Sequence, residues 1–548
     1  MRSAKRSTMA AAAAAALLLV ACGGGSDDAA DDGAGSGGSA VDAGDTPTPS
    51  TPRTAATAPA ADEYDREASF TWASQTYPTN LSPHVGSFSG GNVPVFTPLH
   101  DRLVYLNPFT GQLEPMLAES WEASDDATSL TLQLRDDVTY HDGTPFDAAS
   151  VVANVEHAKS LGSEHPRVAE YNLIEGAVAV DEHTVRYDLT GAYAGAMPTL
   201  LAGGLGMNVA PDTLGNTDPT KVVGTGPYQI AEVRPGQSYR MTRYDGYWNP
   251  EWQNFAELNI VVETSEETIL NGIAAGQFDA GRVSPAVKAR AEQTPNVQVV
   301  SELGNTAQVM GMNIARIEGA ENPDVRLAIN TAIDREALAN GALRGECVAT
   351  VQPWSAAHPA HHPDYPADYY GADPEKARQL LADAGYPDGI SFEIDTYTNP
   401  AYIPIAEVLK SQLAEAGIEV EIKQLDSAVL GTGYRTEKTL DTWLTRTPYG
   451  APPVETITNT WLAGSSGNPG NFSDPVIEEL YPQVMAEIEP DAQNELLKQI
   501  AARLVEAPSH SLILCHEYSL WLGTDDVLGL AEPLTGYQDF HRLGIRAS

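Results

Sequence analysis

The chain has 548 residues, and 74 acidic side chains against 32 basic ones leave a formal charge of -42. A surface this acidic repels phosphate backbones, which excludes the nucleic-acid-binding classes. Hydrophobic residues at 42% and charged residues at 19% are ordinary for a globular chain, and the length supplies core for more than one domain.

Arg2, Lys5 and Arg6 form a positive start, followed by an apolar, alanine-dominated stretch from Met9 to Ala21. That stretch is shorter than the ~20 residues a spanning helix needs and fits the apolar region of a secretory signal. It ends in Leu19-Val20-Ala21-Cys22-Gly23, which resembles the bacterial lipobox. The resemblance implies that residues 1–21 are removed and that Cys22 carries the lipid. Two acyl chains anchor stably where one is marginal. Residues 22–62 are Gly, Ser, Ala and Asp, then Thr-Pro repeats such as Thr46-Pro47-Thr48-Pro49. With almost no large apolar residue, they read as a disordered tether. Some forty such residues have an r.m.s. span on the order of 35 Å.

Strand and helix signals alternate from Tyr64 onward. Ser129 to Leu134 alternates polar and apolar residues, as a half-buried strand does. Ala148 to Ser160 places Val151, Val152, Val155 and Ala158 at helical spacing. Val325 to Ala342 reads as one helix after Asn322-Pro323-Asp324. Pro374 to Ala384 reads as another, with Asp373 as N-cap and Gly385 as its stop. Phe392 to Ile394 and Ile418 to Ile422 are strand-like and flank a helical pattern from Tyr402 to Ala416. Asp491 to Glu506 is helical, and Ser511 to Leu514 is strand-like. The pattern is mixed α/β with no fixed short repeat.

Motifs for chemistry are sparse. Gly86-Ser87-Phe88-Ser89-Gly90 is not a Gly-x-Ser-x-Gly elbow, and His516-Glu517 lacks the second histidine of a zinc helix. His358, His361 and His362 cluster in a Pro-rich stretch that reads as a metal site or a solvent-exposed loop. No carboxylate or cysteine set at metal spacing strengthens the metal reading. Cys347 and Cys515 are either bridged or two separate buried thiols. The acidity either keeps the chain soluble or steers a cationic ligand. No nucleophile, base and orienter form a set, so the expectation is no catalysis, no cofactor and no resident metal.

Four ordered stretches carry a resemblance. The first runs from Leu113-Glu114-Pro115-Met116-Leu117-Ala118-Glu119-Ser120-Trp121-Glu122 to Tyr140-His141-Asp142-Gly143-Thr144-Pro145-Phe146. The second is Val223-Gly224-Thr225-Gly226-Pro227-Tyr228, then Tyr244-Asp245-Gly246-Tyr247-Trp248. The third is Asp324 to Asn330 with Asp334-Arg335-Glu336 and Arg344-Gly345, and the fourth is Leu496 to Leu514. Together they resemble the family 5 extracellular solute-binding proteins, the oligopeptide-, dipeptide- and nickel-binding group of ABC importers.

Read from the residues alone, these motifs are scaffold: Trp121 and Phe146 as core, Asp142-Gly143 as a turn, Gly224 and Gly226 as a tight bend. Asp334-Arg335 reads as a local ion pair or cap.

The resemblance implies an α/β, two-lobed periplasmic-binding-protein clamshell (type II, cluster C-like). Lobe I would span 63–309 with an inserted subdomain at about 111–222, lobe II 310–521, and 522–548 would return to lobe I. It implies an extracytoplasmic, lipid-anchored monomer that hands a peptide-like or other small polar solute to an ABC permease. A nickel- or metallophore-binding relative and a cell-envelope adaptor without a transport role are the alternatives; an extracellular hydrolase is the remaining rival.

In peptide-binding relatives an Asp-Pro after an aromatic-ended strand pairs with the ligand's ammonium. The comparable segment here, Trp443 to Pro452, has no acidic residue, while Arg446 and Tyr449 lie in it. Arg446 would take a ligand anion or form an internal salt bridge. The further cleft candidates are Tyr77 in the Thr76–Asn80 loop, Ser89 and Gly90, Gln352, Trp354, Trp443, Trp461, Asn471 and Phe472.

Overall fold

The computed structural model describes residues 59–86, 92–107, 110–162, 165–399, 401–449, 452–531 and 540–548. All of them belong to one unit, Pro52–Ser548. Cys22, Ser89, Gly90 and the signal and tether stretches lie outside the described residues.

Two long strands organise this unit. Gln298–Met312 and Ser511–Gly523 pair antiparallel, from Gln298 opposite Gly523 to Gly311 opposite Ser511. Their register slips between Leu303 and Ala307 and again between Gln308 and Val309. On one side of the slips, Ser511–Gly523 pairs with Ala280–Val283, which lies parallel to Ser69–Ser74. That strand lies parallel to Glu257–Val262, and Ser238–Arg243 and Tyr228–Arg234 follow antiparallel. On the other side, Gln298–Met312 pairs with Thr442–Pro448. The sheet therefore passes between the two halves through an irregular ladder, and bulges bend and twist a strand where they occur.

Each half has its own core. Phe70, Trp72, Tyr228, Tyr239, Phe255 and Trp521 fill the first. Met310, Ile329, Ile394, Leu409, Val420 and Leu512 fill the second, around the parallel pair Ile390–Tyr397 and Ile418–Leu425. A third core joins a four-stranded sheet to helices from late in the chain. The strands are Ala118–Ala123, Ser129–Leu134, Thr184–Leu189 and Ile174–Ala179, and the helices are Pro453–Thr460, Pro475–Ala486 and Pro490–Glu506. Approach there is tight: a Cβ at Gly195 would sit 2.2 Å from the Glu487 carbonyl.

Local reasoning holds for most elements. Ser129–Leu134 is a strand, Ala148–Leu161 a helix capped by Asp147, and Pro374–Asp383 a helix whose Asp373 side chain accepts from the Glu375 and Lys376 amides. One reading changes and two sharpen. The single helix expected over Val325 to Ala342 is two, Pro323–Thr331 and Arg335–Gly341, because the Asp334 carboxylate caps the second by accepting from the Ala337 amide. Arg335 makes no pair with Asp334. Its buried guanidinium donates to the Ile513 and Asn330 carbonyls and to Asn330 Oδ1, at 2.8, 3.3 and 2.6 Å, and so fastens this helix to the long strand. Gly224 and Gly226 are required less by a bend than by contact: a Cβ on either would lie 2.1 or 2.4 Å from the carbonyl of Leu99 or Pro98.

Cys347, on the short strand Cys347–Ala349, is disulfide-bonded to Cys515 on the long strand. No helix among the described residues is long and apolar enough to cross a membrane.

Candidate functional site

Side chains of a strand divide between two faces with a period of two. On Thr442–Pro448, Trp443, Thr445 and Thr447 line a cavity of about 620 Å³, whereas Thr442 and Leu444 are fully buried on the other face. Val309 and Gly311 of the paired long strand line the same cavity. A Cβ at Gly311 would meet the Tyr434 hydroxyl at 2.6 Å, so glycine there makes room for that ring. Tyr434 and Arg435 close the helix Ser427–Arg435 at the cavity wall. The Arg435 guanidinium lies 4.7 Å over the Trp443 ring and donates to Ser466 Oγ at 3.3 Å.

The first half supplies the opposite wall through Arg102, Arg167, Glu170, Thr199, Leu200 and Leu205. Arg167 Nη1 is 3.4 Å from Glu170 Oε1. Arg102 lies over the Tyr105 ring at 5.4 Å, and its Nε is buried without an acceptor. Glu455, in the first turn of the helix Pro453–Thr460, also faces the cavity. Burial raises its carboxyl above the usual range; Arg167 opposes that shift and Glu170 adds to it. Arginines, carboxylates, hydroxyls and aromatic faces from both halves thus converge on one space of the size that holds small ligands.

Of the residues expected at the cleft, Trp443 and Tyr449 line this cavity. Arg446 does not. It shares the strand face of Thr442 and Leu444, and its Nη2 sits 2.5 Å from Glu517 Oε2, with Gln308 donating to the same carboxylate. Of the two readings left open for it, the internal salt bridge describes this geometry. Trp354 and Trp461 are buried behind the cavity, Trp461 packing on Tyr449 at 5.6 Å and on Trp354 at 6.4 Å. Gln352 is buried and pins the histidine loop, donating to the His362 and Tyr365 carbonyls and accepting from the His362 amide.

Phe472 packs under Arg326, whose guanidinium donates to the Pro508, Ala320 and Glu321 carbonyls. Asn471 shapes its own loop, accepting from the Gly464 amide at 2.9 Å. Tyr77 stacks on Tyr239 at 4.9 Å against the first core. The histidine loop is tied into the structure: His358 stacks on Trp354, and His361 Nδ1 bonds the Trp354 carbonyl at 3.0 Å. Among the described residues no group of three or more His, Cys, Asp or Glu is arranged to hold a metal ion.

Sequence reasoning missed Arg102, Arg167, Glu170, Arg435 and Glu455. Glu455 had a signal. The segment Trp443 to Pro452 has no acidic residue, but the turn of chain after it is a proline-started helix that carries a glutamate to the cavity.

The family model described as bacterial extracellular solute-binding proteins, family 5 Middle, matches residues 112–469. The chain belongs to that family. Among curated proteins it is similar to the glutathione-binding protein GsiB of Escherichia coli O1:K1, 28% identical over 330 residues. That match covers 58% of this chain and 62% of GsiB, so it spans about three fifths of the relative's length. Among solved structures it is similar to DppA from Helicobacter pylori in complex with the peptide STSA: TM-score 0.74, 20% identity, 89% of this chain and 99% of that one. NikZ from Campylobacter jejuni in complex with Ni(L-His) is also similar, with TM-score 0.74, 18% identity, and 87% and 99% coverage. These likenesses give the family 5 protein its fold, the mixed α/β, two-lobed periplasmic-binding-protein architecture.

Proposed function

We propose that this family 5 protein is the extracytoplasmic substrate-binding subunit of an ABC importer. It captures a peptide-like or other small polar solute between its lobes and delivers it to the permease without covalent change. One observation carries the reading: a cavity of about 620 Å³ is lined from both halves of the chain, which two long strands join through an irregular ladder. A ligand touching both walls favours the closed arrangement by its differential contacts, a population shift of the hinge type. In this reading lobe I is 63–309 with the inserted subdomain at about 111–222, lobe II is 310–521, and 522–548 returns to lobe I. Trp443 is the ligand platform, and the fully buried Tyr449 ring backs the cavity wall. The name of the GsiB relative supports a peptide-like solute.

The protein acts as a monomer held to the cell membrane through lipid on Cys22, with residues 22–62 as its tether. Native mass spectrometry of the full chain in detergent tests both parts. A discrete solute mass lost on unfolding and recovered on rebinding is the expected result, together with a diacylglyceryl mass on Cys22. A chain that carries no solute and whose melting temperature no solute shifts would refute the transport reading and favour the adaptor. An unlipidated Cys22 in the mature protein would refute the anchor.

A further inference from the structure

The charges lining the cavity do not balance, and the imbalance describes a ligand. Arg167 is matched by Glu170 at 3.4 Å. Arg102 and Arg435 line the same space over the Tyr105 and Trp443 rings, Arg435 also donating to Ser466 Oγ, and neither is ion-paired among the described residues. Glu455 faces in with no cation at bridging distance among the described residues. The lining thus carries three arginines against two glutamates, and among the described residues only Arg167 and Glu170 lie at bridging distance. A solute that brings complementary charges gains at Arg102, Arg435 and Glu455, which makes the charge pattern a specificity element.

We propose that the cavity selects a small net-anionic solute with two carboxylates and one ammonium, the chemistry of an acidic di- or tripeptide. Arg102 and Arg435 take the carboxylates, and Glu455 takes the ammonium. The inference rests on the reading of this cavity as the solute site and deepens it. Arginine suits the role because its planar fork pairs a carboxylate through two parallel hydrogen bonds. Stacking on Trp443 fixes the plane of Arg435 before ligand arrives. The overall charge of -42 does not oppose this choice. Exposed charges are screened beyond a Debye length of about 8 Å at physiological ionic strength, so the local residues set the field inside the cleft.

The test is titration calorimetry of the full chain near neutral pH with four probes: Ala-Asp, Ala-Ala, Ala-Lys and N-acetyl-Ala-Asp. Ala-Asp is expected to bind roughly tenfold or more tighter than Ala-Ala or Ala-Lys. N-acetylation should weaken binding to the wild type and change little in Glu455→Gln. Arg102→Gln and Arg435→Gln should each narrow the gap between Ala-Asp and Ala-Ala, with unchanged thermal unfolding showing that the variants fold. Equal affinities, a preference for Ala-Lys, or no binding of any probe would overturn the charge assignment. If a co-purified solute of a different charge type rebinds and responds to the three substitutions, solute capture stands while this inference falls. If a solute binds and none of the three substitutions alters it, the cavity is not its site and both readings fall.

Discussion

Lowering the pH from 7 to 5 is expected to destabilise the folded chain by on the order of 10 kcal/mol through histidines buried in the neutral form. Burial pushes His84, His100, His141, His165, His358 and His510 from 6.5 down to about 4, and His516 to about 3. The hydrogen bonds of His84 to Asn154, His100 to Leu81, His510 to Gly467 and His516 to Gln352 offset only part of that shift. Between the folded and unfolded values the unfolded chain binds more protons, so stability rises with pH. The contribution is fully present above 6.5 and is lost as the pH falls toward 4. At 1.36 kcal/mol per unit, each such imidazole removes about 2 kcal/mol between pH 7 and 5.

Two carboxyls act in the opposite sense. Burial lifts Asp101 and Asp395 from 3.8 to about 6, so the folded chain takes up protons first and each returns about 1 kcal/mol over the same interval. The net loss is on the order of 10 kcal/mol, comparable with the whole 5–15 typical of a folded protein. Urea unfolding at pH 7, 6 and 5, followed by tryptophan fluorescence, measures it. His100→Gln should flatten the slope by about 1.4 kcal/mol per pH unit, separately from any change in absolute stability. A midpoint that stays constant or rises on acidification would refute the reasoning.

Reducing the Cys347–Cys515 bond opens a loop of 168 residues. By chain entropy this should cost up to about 5 kcal/mol, read as a fall in the unfolding midpoint with reductant; an unchanged midpoint would deny the bond a stabilising role. Trp354→Ala should cost about 3–5 kcal/mol in thermal unfolding as a core deletion. It should leave solute affinity within a few-fold, because Trp354 lies behind the cavity; lost affinity without lost stability would contradict its placement. Arg446→Met leaves the nearly buried Glu517 with Gln308 alone; because the Arg446 side chain is 40% exposed the cost should be about 1–3 kcal/mol, and adding Glu517→Leu should recover most of it. A double variant no better than the single one would show that Arg446 matters for something other than the pair.

The sequence by itself determined the elements and the family. The alternation of Ser129–Leu134, the Asp147 cap and the Asp373 cap act over a few residues, through backbone hydrogen bonds and side-chain period. Such signals survive in one dimension. Even the fate of Arg446 was partly legible, because a strand that turns Trp443 and Thr445 to the cleft turns Arg446 away.

Only the tertiary structure decided which side chains meet. Arg102, Arg167, Arg435 and Glu455 come from four separate segments spread over some 350 positions, and no local pattern marks them as neighbours. Trp354, Gln352 and Phe472 have the composition of a ligand platform, yet packing placed them inside. An aromatic ring gains as much by burial in a core as by covering a solute, and which of these it does depends on the elements packed around it.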